Sequence, residues 1–246
     1  MIAISDIHGM YQMFLKLLEK VNYDFKRDQL IILGDLVDRG PESRELIEYL
    51  ISLRNKGANL VVLRGNHDDM FIQSLNDQYS VDRWLLNGGV QTLESYFKGS
   101  LISQGVETAI KHIKDNYKNH IEFLENLQLY YETDDFIFVH AGIDPQLDDW
   151  KDTDPHDFMW IREEFFFAFE PLKIGNKKVV FGHSPVRFIK CSERTDDIWF
   201  SPCGQKIGID GAAAYSGQLN ALIIDEKNGL SSCAVSFKEV YEIVAK

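Results

Sequence analysis

Five short apolar runs, Ile2 to Ile4, Leu30 to Leu33, Leu60 to Leu63, Phe136 to Val139 and Val179 to Phe181, are each followed directly by a polar cluster. Runs this short, rich in Ile, Val, Leu and Phe, predict strands buried on both faces, as in the parallel part of an α/β sheet. Between them the apolar period changes. Met10, Met13, Phe14, Leu17, Leu18 and Val21 recur at helical spacing, and so do Leu46, Ile47, Leu50 and Ile51 after Pro41, which suits a first helical position. From about residue 70 to 130 the pattern is mostly helical, broken at Asn87-Gly88-Gly89, and predicts a helical cap or insertion. After Val179, the segments Ile198 to Phe200, Ile207 to Ile209, Leu219 to Asp225 and Leu230 to Phe237 predict a second, partly antiparallel sheet. No repeat, low-complexity run or linker divides residues 1–246, so one α/β domain is expected.

The clusters are Asp6-Ile7-His8, Gly34-Asp35-Leu36-Val37-Asp38-Arg39-Gly40, Gly65-Asn66-His67-Asp68, His140-Ala141-Gly142 and Gly182-His183. Open α/β sheets bind ligands at such strand ends. In an extended segment Asp6 and His8, two apart, point the same way and can offer an oxygen and a nitrogen to one metal. Asp35, Asn66, His140 and His183 complete a mixed O/N set, large enough for two metals that share one carboxylate. Two divalent ions, two carboxylates and a bridging hydroxide sum to roughly +1, which attracts phosphate, and such a pair activates water for phosphoester hydrolysis.

Composition adjusts this picture. Lys and Arg total 26 against 38 Asp and Glu, a net charge of -12, so any anionic substrate must be attracted locally, and a general basic face for nucleic acid is not expected. Cys191, Cys203 and Cys233 form no Cys-x-x-Cys pair and read as reduced, buried thiols, which fits a reducing cytoplasm. No basic leader precedes Ile2 and no apolar stretch suits a membrane span. His112, His120 and His156 read as structural, Asp144 to Asp157 as a solvated loop, and Phe165, Phe166, Phe167 and Phe169 as core or cap packing.

The runs Gly34-Asp35-Leu36-Val37-Asp38-Arg39-Gly40 and Leu63-Arg64-Gly65-Asn66-His67, with the other three clusters in order, resemble the phosphoprotein phosphatase family of Ser/Thr phosphatases among the calcineurin-like metallophosphoesterases. Phe158 to Glu164 and Ile207 to Gly211 are similar to its bacterial and phage members. The resemblance implies two packed mixed β-sheets flanked by helices, an αββα sandwich. It implies that Asp6, His8 and Asp35 hold a first metal, and Asp35, Asn66, His140 and His183 a second. His67 would then be the general acid, oriented by Asp38, and Arg39 would grip phosphate. Similar enzymes carry a second phosphate-binding arginine between the His140 and His183 clusters, where Arg162 is the only arginine; Arg64 is a further candidate, or an ion-pair partner. Tyr215 would face the site as a similarly placed tyrosine does in relatives.

The expected activity is hydrolysis of phosphomonoesters on phosphorylated protein or peptide by a dimetal-bridging hydroxide. Mn is the expected metal, with Fe, Zn or Co as alternatives. Asp68 is a departure from the Glu common in the family and occurs in similar symmetrical dinucleoside tetraphosphatases, which leaves a dinucleoside polyphosphate substrate open. The Asp38-Arg39 pair, which those enzymes usually lack, favours the phosphoprotein. A catalytically silent scaffold is the third reading, and the intact ligand set argues against it.

Overall fold

The computed structural model describes residues 1–97, 104–168, 171–190, 195–225 and 227–241, which exclude Cys191 and Phe169. Its strands form two five-stranded sheets. In the first, β1 (Ile2–Ile4), β2 (Leu30–Ile32) and β3 (Leu60–Val62) run parallel, as the alternation of strand and helix predicts. The second holds β4 (Tyr130–Glu132), β5 (Phe136–Val139), β6 (Lys178–Phe181), β7 (Trp199–Phe200) and β8 (Lys206–Gly208) in the order β4-β5-β6-β8-β7.

The C-terminal segments do not make one separate sheet. β9 (Gln218–Asp225) returns antiparallel onto β1, with Ile2 opposite Ile223, and β10 (Gly229–Ser236) pairs with β9. Only β7 and β8 join the second sheet. A strand's own pattern states which faces are buried but not which neighbour supplies its hydrogen bonds.

Alternation along the strands explains the layers. Ile2, Ile4, Leu30 and Ile32 face the helices on the first sheet, whereas Ala3 and Ile31 face the second sheet and meet Phe136, Phe138, Val180 and Ile207 there. Ile137, Val139, Val179 and Phe181 turn outward into a third cluster with Trp150, Phe158 and Phe165. Both sheets are therefore buried on two faces, which keeps the strand ends fixed relative to one another.

Helix α1 (Tyr11–Lys20) buries Met13, Phe14, Leu17 and Leu18, and α2 (Ser43–Asn55) buries Leu46, Ile47, Leu50 and Leu53. Pro41 lies outside α2, because the Glu42 amide donates to Gly9 O at 3.0 Å and delays the first turn to Ser43. Among the described residues five helices follow β3: α3 (Asn66–Asn76), α4 (Gln78–Trp84), α5 (Val90–Tyr96), α6 (Val106–Asn116) and α7 (Lys118–Glu125). Their Phe71, Trp84, Tyr96, Ile113 and Phe123 share one cluster with α1 and α2. The Asn87-Gly88-Gly89 break is a kink between α4 and α5, where Gly88 takes a left-handed φ of 105°.

Cys203 is exposed and Cys233 half-buried, not buried as thiols read from composition alone. Phe165 and Phe166 are buried while Phe167 is exposed. The acidic stretch carries more order than a loop, since Asp149 and Asp154 cap short helical turns by accepting from Lys151 N and His156 N. His120 is buried between Tyr96 and Glu48. Among the described residues no helix is long and apolar enough to cross a membrane.

Candidate metal centre and phosphate pocket

The five clusters meet at the C-terminal ends of β1, β2, β3, β5 and β6. Asp6 and His8 do not project from an extended segment: their φ angles are 53° and 47°. Asp35, Asp38, Arg39 and His183 are also left-handed, at 54°, 72°, 70° and 62°. Such a conformation costs an L-residue about 1–2 kcal/mol, so its concentration here marks backbone held against its preference to aim side chains inward. Cross-loop hydrogen bonds supply the hold, with Asp6 N donating to Gly34 O at 3.2 Å and His8 N to Asp35 O at 2.8 Å. Close approach matters equally at Gly65, where an added Cβ would stand 2.2 Å from Asp35 Oδ1.

Asp35 stands between two groups of buried acceptors, one with His8 and His67, the other with His140 and His183. Within each group the ligand atoms lie within 4.8 Å of one another. His8 Nδ1 bonds Val37 O at 2.8 Å and His140 Nδ1 bonds Leu33 O at 2.7 Å. A carbonyl oxygen can only accept, so each Nδ1 carries the proton and each Nε2 offers a lone pair. His140 Nε2 then faces Asn66 Oδ1 at 3.1 Å and Asp35 Oδ1 at 3.4 Å, and His8 Nε2 faces Asp35 Oδ2 at 3.4 Å. At His140 lone pairs are turned on lone pairs, which calls for a cation between them, whereas the lone pair of His8 Nε2 is met by Arg39 Nη1.

His183 Nε2 is buried with no hydrogen-bond partner, while its ring is held through a backbone bond to Trp160. Burial lowers the pKa of His8, His140 and His183, so all three are neutral acceptors at pH 7. Burial raises Asp35 to about 6, the penalty a nearby cation would remove. The donor set therefore fits divalent metal. Asp6 is buried too, accepting His183 N at 2.9 Å and the Ser5 hydroxyl, but it stands outside both groups.

His67 is engaged on both nitrogens. Its Nδ1 meets Asp38 Oδ2 at 2.7 Å, and its Nε2 meets Arg39 Nη2 at 2.7 Å. Asp38 Oδ1 accepts from Trp84 Nε1 and from Thr92 Oγ1, each at 2.8 Å, so only Oδ2 is left for the imidazole. Burial lifts Asp38 to about 7 and lowers His67 to about 4. Neither Trp84 nor Thr92 carries a ligand signature in the sequence. Their only signal is position, a polar atom on either side of the Gly88 break.

Arg39 also touches His8 Nε2 and lies over the Tyr215 ring, 5.0 Å from its centroid. Arg162 donates to His183 O at 3.1 Å and Ser184 Oγ at 3.0 Å. Both arginines line a pocket of about 460 Å³ together with His8, His183 and Tyr215. Arg64 is not brought to it: its guanidinium caps α7 through Glu125 O at 2.5 Å and pairs with Asp69 at 3.6 Å. Asp68 does not face the pocket either. Its carboxylate accepts the amides of Asp35 and Leu36 at 2.9 Å and of Gly65 at 3.0 Å.

The model of the calcineurin-like phosphoesterase family matches residues 1–213. A symmetrical bis(5'-nucleosyl)-tetraphosphatase of Buchnera aphidicola is 34% identical over 150 residues, 59% of this chain and 45% of that one, so the chain spans about half the length of such relatives. A serine/threonine-protein phosphatase 1 of Salmonella typhimurium is 26% identical over 186 residues, covering 75% of this chain and 78% of that one. Among solved structures, one of a putative diadenosine tetraphosphatase superposes with a TM-score of 0.65 at 21% identity, covering 96% of this chain and 92% of that one. With the family model covering residues 1–213 and all five clusters, the chain belongs to the calcineurin-like phosphoesterases.

Proposed function

We propose that the chain is a two-metal phosphoesterase whose substrates are dinucleoside polyphosphates, cleaved symmetrically. The observation that carries the chemistry is Asp35 between two acceptor groups. The substrate class is supported by the relatives named as symmetrical tetraphosphatases. In this reading Asp6, His8 and Asp35 would hold one ion, and Asp35, Asn66, His140 and His183 would hold the other. Mn is the expected occupant, and the O/N set also accepts Fe, Zn or Co. Two ions held there would neutralise phosphate charge and lower the pKa of a coordinated water from about 15.7 toward about 7.

The chain's own residues do the rest. Arg39 and Arg162 hold the non-bridging oxygens of the phosphoryl group in the pocket. His67, oriented by Asp38, would take up a proton when Arg39 turns to the phosphate and the phosphate's negative charge lies beside the imidazole, and would present it from Nε2 to the departing oxygen.

One observation favours a second reading. A departing diphosphate is a stable anion, whereas the alkoxide of serine or threonine needs a proton as it leaves. A buried Asp38–His67 pair at 2.7 Å therefore fits a phosphoprotein substrate well. The Salmonella relative, matched over 78% of its length, bears a Ser/Thr phosphatase name.

Diadenosine tetraphosphate should be offered in parallel with phosphoserine, phosphothreonine and phosphotyrosine peptides, with Mn present. The proposal expects ADP as the sole nucleotide product and the highest kcat/KM for the tetraphosphate. A higher value for phosphoserine peptide moves the substrate to the second reading. Absence of turnover in protein that has bound Mn would leave only a scaffold.

A further inference from the structure

The pocket that holds Arg39 and Arg162 is lined by aromatic rings as well, Phe188 and Tyr215. Phe188 is 73% exposed, yet it lines the same pocket as Arg39 and Arg162. It is not a loosely placed side chain. The helical turn that carries it, Val186–Ile189, is anchored by Val186 and Ile189, which are buried. Val186 N donates to Asp210 O at 2.9 Å and Phe188 N to Pro185 O at 2.9 Å. Arg187 is clamped by Asp196 through two hydrogen bonds of 2.5 Å, so its charge is spent. The turn therefore holds the Phe188 ring out in the pocket wall, and among the described residues no other ring stacks on it.

Tyr215 also lines the pocket, with one face against Arg39, and Pro185 and Ala213 add apolar surface. An apolar ring left in water beside a phosphate clamp marks ligand-binding surface. Arg39 and Arg162 select an anionic phosphate, and a planar aromatic group attached to that phosphate would cover Phe188.

We infer that Phe188 is a nucleobase-stacking subsite adjoining the phosphate pocket, so that the ligand is a nucleoside phosphate. The inference rests on the phosphoesterase reading of the neighbouring centre and deepens it by giving one base of the dinucleotide a place. A base stacked on an aromatic ring is held largely without sequence preference, so adenine is a probe and not a requirement.

The test compares AMP with ribose 5-phosphate, which shares the sugar and phosphate but lacks the base, as competitive inhibitors of nitrophenyl phosphate hydrolysis by the Mn-loaded enzyme. AMP should inhibit about tenfold more tightly than ribose 5-phosphate, the usual order for one base stack. Phe188→Ala should bring the two inhibition constants within about twofold, and Phe188→Trp should keep them apart. Because Phe188 is mostly exposed, Phe188→Ala should fold normally, and its circular dichroism and melting curve check this.

Equal inhibition by AMP and ribose 5-phosphate in the wild type overturns the subsite. So does an unchanged ratio in Phe188→Ala, or a ratio lost only in Tyr215→Ala. Should peptides with an aromatic residue beside phosphoserine gain from Phe188 while AMP does not, the wall serves a peptide and the inference fails. If diadenosine tetraphosphate is not hydrolysed while the AMP ratio holds and depends on Phe188, the subsite stands and the proposed substrate falls.

Discussion

Asp68 closes the run Gly65-Asn66-His67-Asp68, where the sequence leaves a nucleotide substrate open, yet its carboxylate is fully buried against the amides of Asp35, Leu36 and Gly65. It acts on the site through the backbone of Asp35. Asp68→Asn puts an NH₂ group where one oxygen accepts, leaving at least one buried N–H unpaired. A loss of about 1–3 kcal/mol is expected in urea unfolding, with weaker Mn binding. The ratio of kcat/KM for diadenosine tetraphosphate and phosphoserine peptide should stay within about twofold, and a larger change would return Asp68 to substrate selection. His67 makes the opposite case, since its Nε2 end points to Arg39 and the pocket. His67→Asn should lower kcat for alkyl phosphates by about 10² to 10⁴, with a much smaller loss on nitrophenyl phosphate, whose leaving group needs little protonation. Equal losses on both substrates would remove His67 from proton transfer.

Among the elements, the strands and α1 were legible because period and burial are local properties: Ile2–Ile4 and Phe136–Val139 appear within their apolar runs. What was not legible is pairing. β9 and β10 read as members of a second sheet and instead extend the first, because β1 offers them its free edge. Helices α4 and α5 were equally opaque. They read as a helical cap or insertion, yet Trp84 and Thr92 close the Asp38 carboxylate from opposite sides of the Gly88 turn. Such a role depends on two helices folding back over a loop 46 and 54 residues away, which no window in the sequence contains. Thr92 also accepts from Asp38 N at 2.8 Å. Thr92→Val should therefore free the Asp38 carboxylate to rotate and lower kcat about tenfold, the order of one lost hydrogen bond, with little change in KM. Thr92→Ser keeps the hydroxyl and should restore the rate. Loss without rescue would mean that the methyl packing matters and the hydrogen bond does not.

For the whole molecule, two sheets packed through one dry layer bring five strand ends together, and the centre they make concentrates carboxylates where water is scarce. In the metal-free chain Asp35 is raised to about 6, and Asp38 and Asp68 to about 7, chiefly by burial. A raised carboxylate keeps a proton in the folded state that the unfolded chain releases near its usual value of about 4, so these groups make stability fall as pH rises from about 4 to about 7. The buried histidines act in the opposite direction. His67 is lowered to about 4, and His8, His140 and His183 lie below their usual range, so the folded chain lacks protons that the unfolded chain holds below about 6.5, and their contribution grows with pH over that window. The two trends oppose each other below about pH 6.5, and above it the carboxylates alone remain, so metal-free protein should melt at a lower temperature as pH rises from about 6.5 to about 7. Metal binding breaks this balance, because near pH 7 the imidazoles are already neutral, while Asp35 must give up the proton it holds below about pH 6. Mn affinity should rise about tenfold per pH unit below about pH 6 and level off above it, and the stabilisation by Mn should grow in step. Titration calorimetry in two buffers of different ionisation enthalpy counts the protons released. Proton release that is clear at pH 6 and absent at pH 8 is the expected result, whereas release of more than one proton at pH 7 would mean that the imidazoles start charged.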